Sequence, residues 1–373
     1  MKYYFIAGEA SGDMHAANLI TAIRKADPLA EFRCFGGDLM KEAGALLFIH
    51  YRDMALMGGI EVLKKYPAIR KNKLLCRRDI LNYKPDVLIL VDYSGFNLPM
   101  ASFAAKHHLR VIYYISPKLW AWAKWRVKNI RLYVEKMFVI LPFEIDFYKE
   151  HDVNAEYFGN PVLDSIVTFE GQYDSDEDFR KKNQLSEKPI IALLAGSRKQ
   201  EIRNLLPEML DAVRHFAGYQ FVVAGAPSVS PDYYTKYLAG TQVDIVYNQT
   251  YHLLKNSTAA IVTSGTATLE TALLKVPQVV VYKTSGFTYY IGRLFVKIKY
   301  FSLVNLISNK MVVKELLQFN MPRDIKAELD LLLHNYTYTN EMILNYELLR
   351  NQLGNPGVAD RIAKRIYEIL SNP

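Results

Sequence analysis

Cysteine is scarce in this 373-residue chain: Cys34 and Cys76 are the only two. They are too few for a disulfide framework and too far apart for a C-x-x-C metal or redox pair, which points to a reducing compartment. Long apolar runs are missing as well, since none approaches the roughly 18 residues that a bilayer-spanning helix needs. Met1-Lys2 leads straight into the short apolar run Tyr3–Ala7, so no secretory leader is expected and the chain is placed in the cytoplasm. The eight histidines include the neighbours His107-His108 but no H-x-x-x-H pair, and Asp174-Ser175-Asp176 falls in a polar connecting stretch. No metal and no other cofactor are therefore expected. The first apolar run is not followed by a G-x-G-x-x-G fingerprint, which argues against a dinucleotide there.

Acid is thin in two stretches. Residues 62–84 hold Lys64, Lys65, Arg70, Lys71, Lys73, Arg77, Arg78 and Lys84 against Asp79 alone, and residues 106–136 hold eight cations against Glu135 alone. These blocks contribute to a formal net charge of +8, and Trp120, Trp122 and Trp125 all fall in the second. Indoles among Lys and Arg suit the face of an anionic membrane. Nucleic acid is the rival partner for the same composition, and solvated helix faces with core aromatics are the plain alternative.

What is present is an alternation of strand-length apolar runs with helical patterns. Tyr3–Ala7, Phe32–Gly36, Asp86–Val91, Val111–Ile115, Met137–Leu141 and Tyr157–Gly159 read as strands of a first series. Ile190–Ala195, Gln220–Ala224, Val243–Val246, Ala259–Val262 and Gln278–Tyr282 read as a second. The fold class is therefore α/β, with two Rossmann-like domains facing each other across a cleft and helices at the C-terminus. The expected boundaries are 1–165, a linker over 166–188, 189–340, and C-terminal helices over 341–373 that pack back across the domain boundary. Nothing in the composition excludes a homodimer.

Three turns lead from a strand into a helix and carry chemistry. Gly8-Glu9-Ala10-Ser11-Gly12-Asp13 precedes a helical pattern from Met14 to Lys25, and its glycines let a ligand approach the backbone. Gly196-Ser197-Arg198 repeats the device in the second series and adds a fixed bidentate cation, which suits a diphosphate. Ser264-Gly265-Thr266-Ala267-Thr268-Leu269-Glu270 supplies hydroxyls, helix amides and a carboxylate able to accept from ribose hydroxyls. A well-capped helix start is the plain reading of each. Asp92 ends the run Val87–Val91 ahead of Tyr93-Ser94-Gly95-Phe96-Asn97, where burial would raise its carboxyl toward general-base duty. Its plain reading is a cap for the following helix. His15 and Glu9 are the alternative bases.

These motifs resemble the lipid-A-disaccharide synthase family. So do Met57-Gly58 with Glu61-Val62, Lys84-Pro85-Asp86, Tyr114-Ile115-Ser116-Pro117, Trp120-Ala121-Trp122 and Leu141-Pro142-Phe143-Glu144, and Asn305-Leu306 with Lys314-Glu315-Leu316-Leu317-Gln318. The match runs in order from Lys2 to about Gln318. Two departures stand out, Asn160 where many relatives place His and the Lys199-Gln200 pair after Arg198. The resemblance implies an inverting, metal-independent glycosyltransferase of the GT-B type acting in lipid A biosynthesis. It would join UDP-2,3-diacylglucosamine to 2,3-diacylglucosamine 1-phosphate, making a β-1,6 disaccharide 1-phosphate and UDP. By position it makes Asp92 the favoured base, assigns Arg198 and Asn305 to donor binding or catalysis, and lays residues 264–270 against UDP. Gly8, Glu9, Ser11, Gly12, Asp13, His15 and Asn97 then line the acceptor side, while Gly196, Ser197, Glu315 and Gln318 join the substrate-binding set. Acylated substrates also imply peripheral docking on the anionic inner membrane, with no nucleic acid partner. The competing readings are a UDP-sugar 2-epimerase of similar fold and a non-catalytic nucleic-acid binder.

Overall fold

Tyr3 to Ala7 alternate between two apolar surroundings, and that alternation sets the architecture of the first half of the chain. Tyr3, Phe5 and Ala7 point into one buried cluster, and Tyr4 and Ile6 into another on the opposite face of the strand. A strand buried on both faces must be covered by helices on both, which is the condition for a parallel sheet. The computed structural model of the chain describes residues 1–54, 59–171, 173, 175–283 and 299–371, without the side chains of residues 54 and 59–66 and of Trp122. Met57, Gly58, Asp174 and the side chains of Glu61, Val62, Lys64 and Lys65 thus lie outside the described residues.

The chain divides into two compact units, Met1–Asp164 with Gly354–Pro373, and Ser165–Leu353. In the first, β1 (Lys2–Ala7), β2 (Glu31–Gly36), β3 (Leu46–His50), β4 (Val87–Val91), β5 (Arg110–Tyr114), β6 (Lys136–Val139) and β7 (Ala155–Tyr157) form a parallel sheet of order β3-β2-β1-β4-β5-β6-β7. In the second, β8 (Ile190–Leu194), β9 (Gln220–Gly225), β10 (Val243–Tyr247), β11 (Ser257–Thr263), β12 (Gln278–Tyr282) and β13 (Lys314–Leu317) form another, of order β10-β9-β8-β11-β12-β13. Strand order reverses direction between β1 and β4 in one sheet and between β8 and β11 in the other. Such a switch leaves a crevice at the carboxyl ends of the two central strands, where ligands of doubly wound folds bind. Both units are thus Rossmann-like, as the alternation predicts.

The sequence pattern missed β3 and β13. Both are edge strands, short and only partly buried, so they lack the unbroken apolar run of the central strands. Residues 166–188 are more ordered than their composition implies, carrying most of the helix Val162–Glu170 and all of Asp176–Lys182, the latter capped by Ser175. The two C-terminal helices part company. Tyr336–Gln352 belongs to the second unit and Val358–Ser371 to the first. Val358, Ile362 and Ile366 recur at helical spacing and bury against the same cluster as Tyr3 and Phe5. Each such isoleucine stabilises by roughly 1.5–3 kcal/mol. The helix is seated by Asp164, whose carboxylate accepts from the amides of Gly357, Val358 and Ala359 at 2.6, 3.1 and 3.0 Å. Among the described residues no helix is long and apolar enough to cross a membrane.

Cys34 and Cys76 lie in the two different clusters of the first unit, and burial pushes the Cys34 thiol up to about 12. Both remain free and act as small apolar residues.

Candidate functional site

At the switch point of the first unit, Asp92 and Tyr93 follow β4 with φ of 43° and 47°. Two consecutive non-glycine residues in the left-handed region cost of order 1–3 kcal/mol each and persist only where their surroundings force them. Here the force is visible. The Asp92 amide donates to the carbonyl of Ile115 at 3.1 Å, and the Asp92 carbonyl accepts from the Tyr113 hydroxyl and from Asn97 Nδ2 at 2.9 Å. Asn97 Nδ2 also donates to the Val91 carbonyl at 3.0 Å, and its Oδ1 is buried without a partner. The backbone of Asp92 is therefore pinned from three directions while its side chain stays partly exposed.

Gly8 directly follows the neighbouring strand β1, and a Cβ there would stand 2.2 Å from the Tyr93 ring. The first glycine of the motif is required by close packing against the Asp92 corner. The helix opens at Ala10, with Glu9 as its N-cap, so Ser11, Gly12 and Asp13 lie in its first turn instead of in a loop. Glu9 Oε1 accepts from the Ser11 hydroxyl at 3.3 Å.

Two polar residues of this group are buried. Asp13 is buried, accepting from the amides of Gly37 at 2.8 Å and of Leu39 and Met40 at 3.2 Å, so it caps the helix Asp38–Glu42. Burial pushes its carboxyl up against the pull of those three amides. His15 is buried with Nδ1 unpartnered, and burial pushes its imidazole down to about 4. Asn97 is likewise a latch on the Asp92 backbone, fully buried.

Glu144 forms a buried hub in the first unit, with no role assigned to it by the sequence motifs. Its buried carboxylate accepts from the Ser116 hydroxyl, from Trp120 Nε1 at 3.0 Å, and from the amides of Leu141 and Ile140 at 3.1 and 3.3 Å. Burial pushes it up to about 7, while the four donors pull the other way. Trp120 is thus committed to this hub and packs edge-on against Phe143, whereas Trp125 is 68% exposed. The basic blocks are also partly neutralised: Arg110 pairs with Glu135, Arg131 with Asp152 and Lys136 with Glu156.

In the second unit, Gly196 takes φ of 109° behind β8, and a Cβ on it would stand 2.5 Å from Glu201 Oε2. Glu201, in the first turn of the helix Lys199–Val213, accepts from the amides of Ser197 and Arg198 at 2.9 and 3.2 Å and pairs with the Arg198 guanidinium. The anion position predicted for a diphosphate is therefore filled by the chain's own carboxylate. An acid three residues past an N-cap is a recognisable signature, and it was there to be read at Glu201.

Behind β11, Ser264 and Gly265 lead into the helix Thr266–Leu273, whose first amides, of Thr266 and Ala267, precede any helical partner. The Thr268 hydroxyl turns back to the Gly265 carbonyl at 2.8 Å. Glu270 accepts from the Tyr251 hydroxyl at 2.8 Å, and burial pushes its carboxyl up. A relay supports this turn. The Ser264 hydroxyl donates to the Phe301 carbonyl at 2.8 Å, Glu315 accepts from the amides of Phe301 and Ser302 at 2.9 Å, and Asn305 Nδ2 donates to Glu315 at 2.8 Å. Asn305 is fully buried, and its remaining capacity goes to Val312 and Val313. Asn305 joins the relay through Glu315, and both polar atoms of its side chain are hydrogen-bonded within the unit. Gln318 follows β13 with φ of 65°, its amide donating to the Tyr282 carbonyl at 3.1 Å. Among the described residues no group of three or more His, Cys, Asp or Glu side chains is placed to hold a metal ion.

Comparison with known proteins adds to this geometry. The family described as lipid-A-disaccharide synthetase matches residues 3–359. The chain is 39% identical to the lipid-A-disaccharide synthase of Myxococcus xanthus (strain DK1622), over 98% of its own length and 96% of the relative's. It is 38% identical to that of Syntrophus aciditrophicus (strain SB), over 96% and 95%. In three dimensions it resembles the UDP-GlcNAc 2-epimerase from Neisseria meningitidis bound to UDP-GlcNAc, with a TM-score of 0.68, 14% identity and full coverage of both chains. That distant likeness speaks for the fold alone.

Proposed function

The chain belongs to the lipid-A-disaccharide synthase family, and on that premise we propose how its residues perform the family's glycosyl transfer. The donor is UDP-2,3-diacylglucosamine, the acceptor 2,3-diacylglucosamine 1-phosphate, and the products the β-1,6-linked disaccharide 1-phosphate and UDP. The observation that carries the assignment of roles is the pinned, left-handed corner at Asp92.

The Asp92 carboxylate takes the proton of the acceptor's 6-hydroxyl as that oxygen bonds to the donor's anomeric carbon. The bond from that carbon to the diphosphate breaks on the opposite side, its electron pair leaves with UDP, and the configuration inverts. A carboxylate held by backbone bonds is already aimed when the acceptor arrives, so little orientation remains to be lost. Glu9 and Ser11 hold sugar hydroxyls beside it. In the second unit the amides of Thr266 and Ala267 and the Arg198 guanidinium meet the charge growing on the diphosphate. Glu201 yields the Ser197 and Arg198 amides when that charge arrives. The proposal uses no metal ion, so activity should persist after treatment with EDTA.

Acylated substrates require a lipid surface. Trp125 and Leu132, 68% and 63% exposed, stand among the exposed Lys124, Lys128 and Arg131, and this face docks on the anionic inner membrane as a peripheral contact.

Mass spectrometry of reactions containing donor alone, acceptor alone and both tests the reading. The disaccharide 1-phosphate and UDP should form only when both are supplied. UDP release or a C2-epimerised sugar from donor alone would transfer the chain to the epimerase reading, which the fold also accommodates.

A further inference from the structure

One carboxylate fastens together two of the segments next to the Asp92 corner. Glu144 is the first residue of the helix Glu144–Lys149, behind β6, and its two oxygens face different partners. Oε1 accepts from the Ser116 hydroxyl and from Trp120 Nε1 at 3.0 Å, both in the segment behind β5. Oε2 accepts from the amides of Ile140 and Leu141 at 3.3 and 3.1 Å, in the segment behind β6.

The segment behind β5 is also one that holds Asp92. Ile115, directly before Ser116, takes φ of 64°, a left-handed conformation that is unusual for a β-branched residue. Its amide donates to the Phe138 carbonyl of β6 at 3.0 Å, and its carbonyl accepts from the Asp92 amide at 3.1 Å. Ile115 is thus held by β6 on one side and, through Ser116, by Glu144 on the other. Asn160, behind β7, extends the row: its Nδ2 donates to the Ile140 carbonyl at 2.9 Å and its Oδ1 accepts from the Val162 amide at 3.0 Å. The segments behind β4, β5, β6 and β7 are therefore hydrogen-bonded in series, with Glu144 as a middle link.

A buried carboxylate is costly to keep in such a place. Among the described residues no cation pairs with Glu144, and burial pushes its carboxyl up. What it supplies is geometry. Trp120 Nε1 and the two amides can only donate, so the link needs a group that accepts at both ends, and a charged acceptor holds donors more tightly than a neutral one.

We infer that Glu144 is a positioning residue for the glycosyl transfer: acting through Ser116 and Ile115, it sets the corner from which the Asp92 carboxylate meets the acceptor hydroxyl. The inference rests on the reading of Asp92 as the base. Glu144 is buried and acts on the aim of that base, so its loss should fall on the chemical step and spare substrate binding.

The experiment is a double-mutant cycle between positions 144 and 92, read as kcat and KM for disaccharide formation. Glu144→Gln keeps the shape of the side chain but sets an amide group against donors. It should lower kcat by roughly 10- to 100-fold, the scale of a reacting group misplaced by about an ångström, with both KM values within about 2-fold of the wild type. Ser116→Ala, which cuts the link and leaves Glu144 in place, should act in the same direction and replaces the Gln variant in the cycle should that variant not fold. In the Asp92→Asn background either substitution should lower kcat by less than about 3-fold further, since an absent base cannot be misaimed. Equal fold-losses in the two backgrounds, a loss confined to KM, or failure of both variants to fold would make Glu144 a structural tie and overturn the inference. Unchanged turnover in Asp92→Asn would remove the base and this inference with it, whereas no disaccharide from the wild type would sink the glycosyl-transfer reading beneath both.

Discussion

Asp92 and Tyr93 hold a conformation that neither residue favours, and bonds to the Asp92 backbone help to enforce it. The carboxylate itself is partly exposed. Asp92→Asn keeps those backbone bonds and removes only the basic carboxylate, so turnover should fall by about 10²-fold or more with UDP affinity nearly intact. Unchanged turnover would clear Asp92 of the role and promote Glu9. His15 invites a different measurement. Its imidazole, pushed from 6.5 down to about 4 by burial, binds fewer protons folded than unfolded. Its contribution is complete above about pH 6.5, declines as pH falls, and is gone below about pH 4, a loss of about 3 kcal/mol at full extent. Denaturant midpoints across that range should fall more steeply for the wild type than for His15→Gln, and parallel curves would contradict the burial argument. Residue types at spacing marked Asp92, Gly8 and Arg198 as candidates. They did not reveal that Asp13, Asn97 and Asn305 bond to other parts of the chain, because a polar residue bound for a ligand and one bound for an amide look alike until the chain is folded.

Among elements, the turns behind β1 and β4 behave as one structure. The Tyr93 ring occupies the space that any side chain at position 8 would need. Gly8→Ala should therefore displace the Tyr93 ring and with it the Asp92 corner. Activity should drop by at least about 10-fold while the stability cost stays near 1–3 kcal/mol, the usual range for overpacking. A calorimetric melt alongside the assay separates the two effects, and a variant with full activity would show that the corner tolerates the shift. The central strands were legible as unbroken apolar runs because both faces are buried. The edge strands β3 and β13 were not, since half-exposed strands carry mixed residues. Ser11, Gly12 and Asp13 read as loop but are helix, because the helix starts at Ala10, four residues before the apolar periodicity begins at Met14.

At the scale of the whole molecule, charge and chain path matter most. The exposed Trp125 and Leu132 with their lysines predict binding to vesicles containing anionic lipid, weakening as salt rises and screening shortens. Co-sedimentation with anionic and zwitterionic vesicles at low and high salt would check it, and indifference to both lipid charge and salt would reduce the basic blocks to solvated surface. The sequence by itself determined two α/β units, the strand-to-helix turns at their switch points and the family, since apolar periodicity and motif order are properties of the chain alone. Only the tertiary structure decided that the final helix Val358–Ser371 completes the first unit, seated on Asp164 and on the face of β1. It also decided that Glu201 occupies the Ser197 and Arg198 amides, and that Lys73 and Arg126 both reach the first turn of the helix Ser94–Lys106. The physical reason is common to all three. Burial and electrostatic neighbourhood depend on which distant segments share a surface, and that is set by packing.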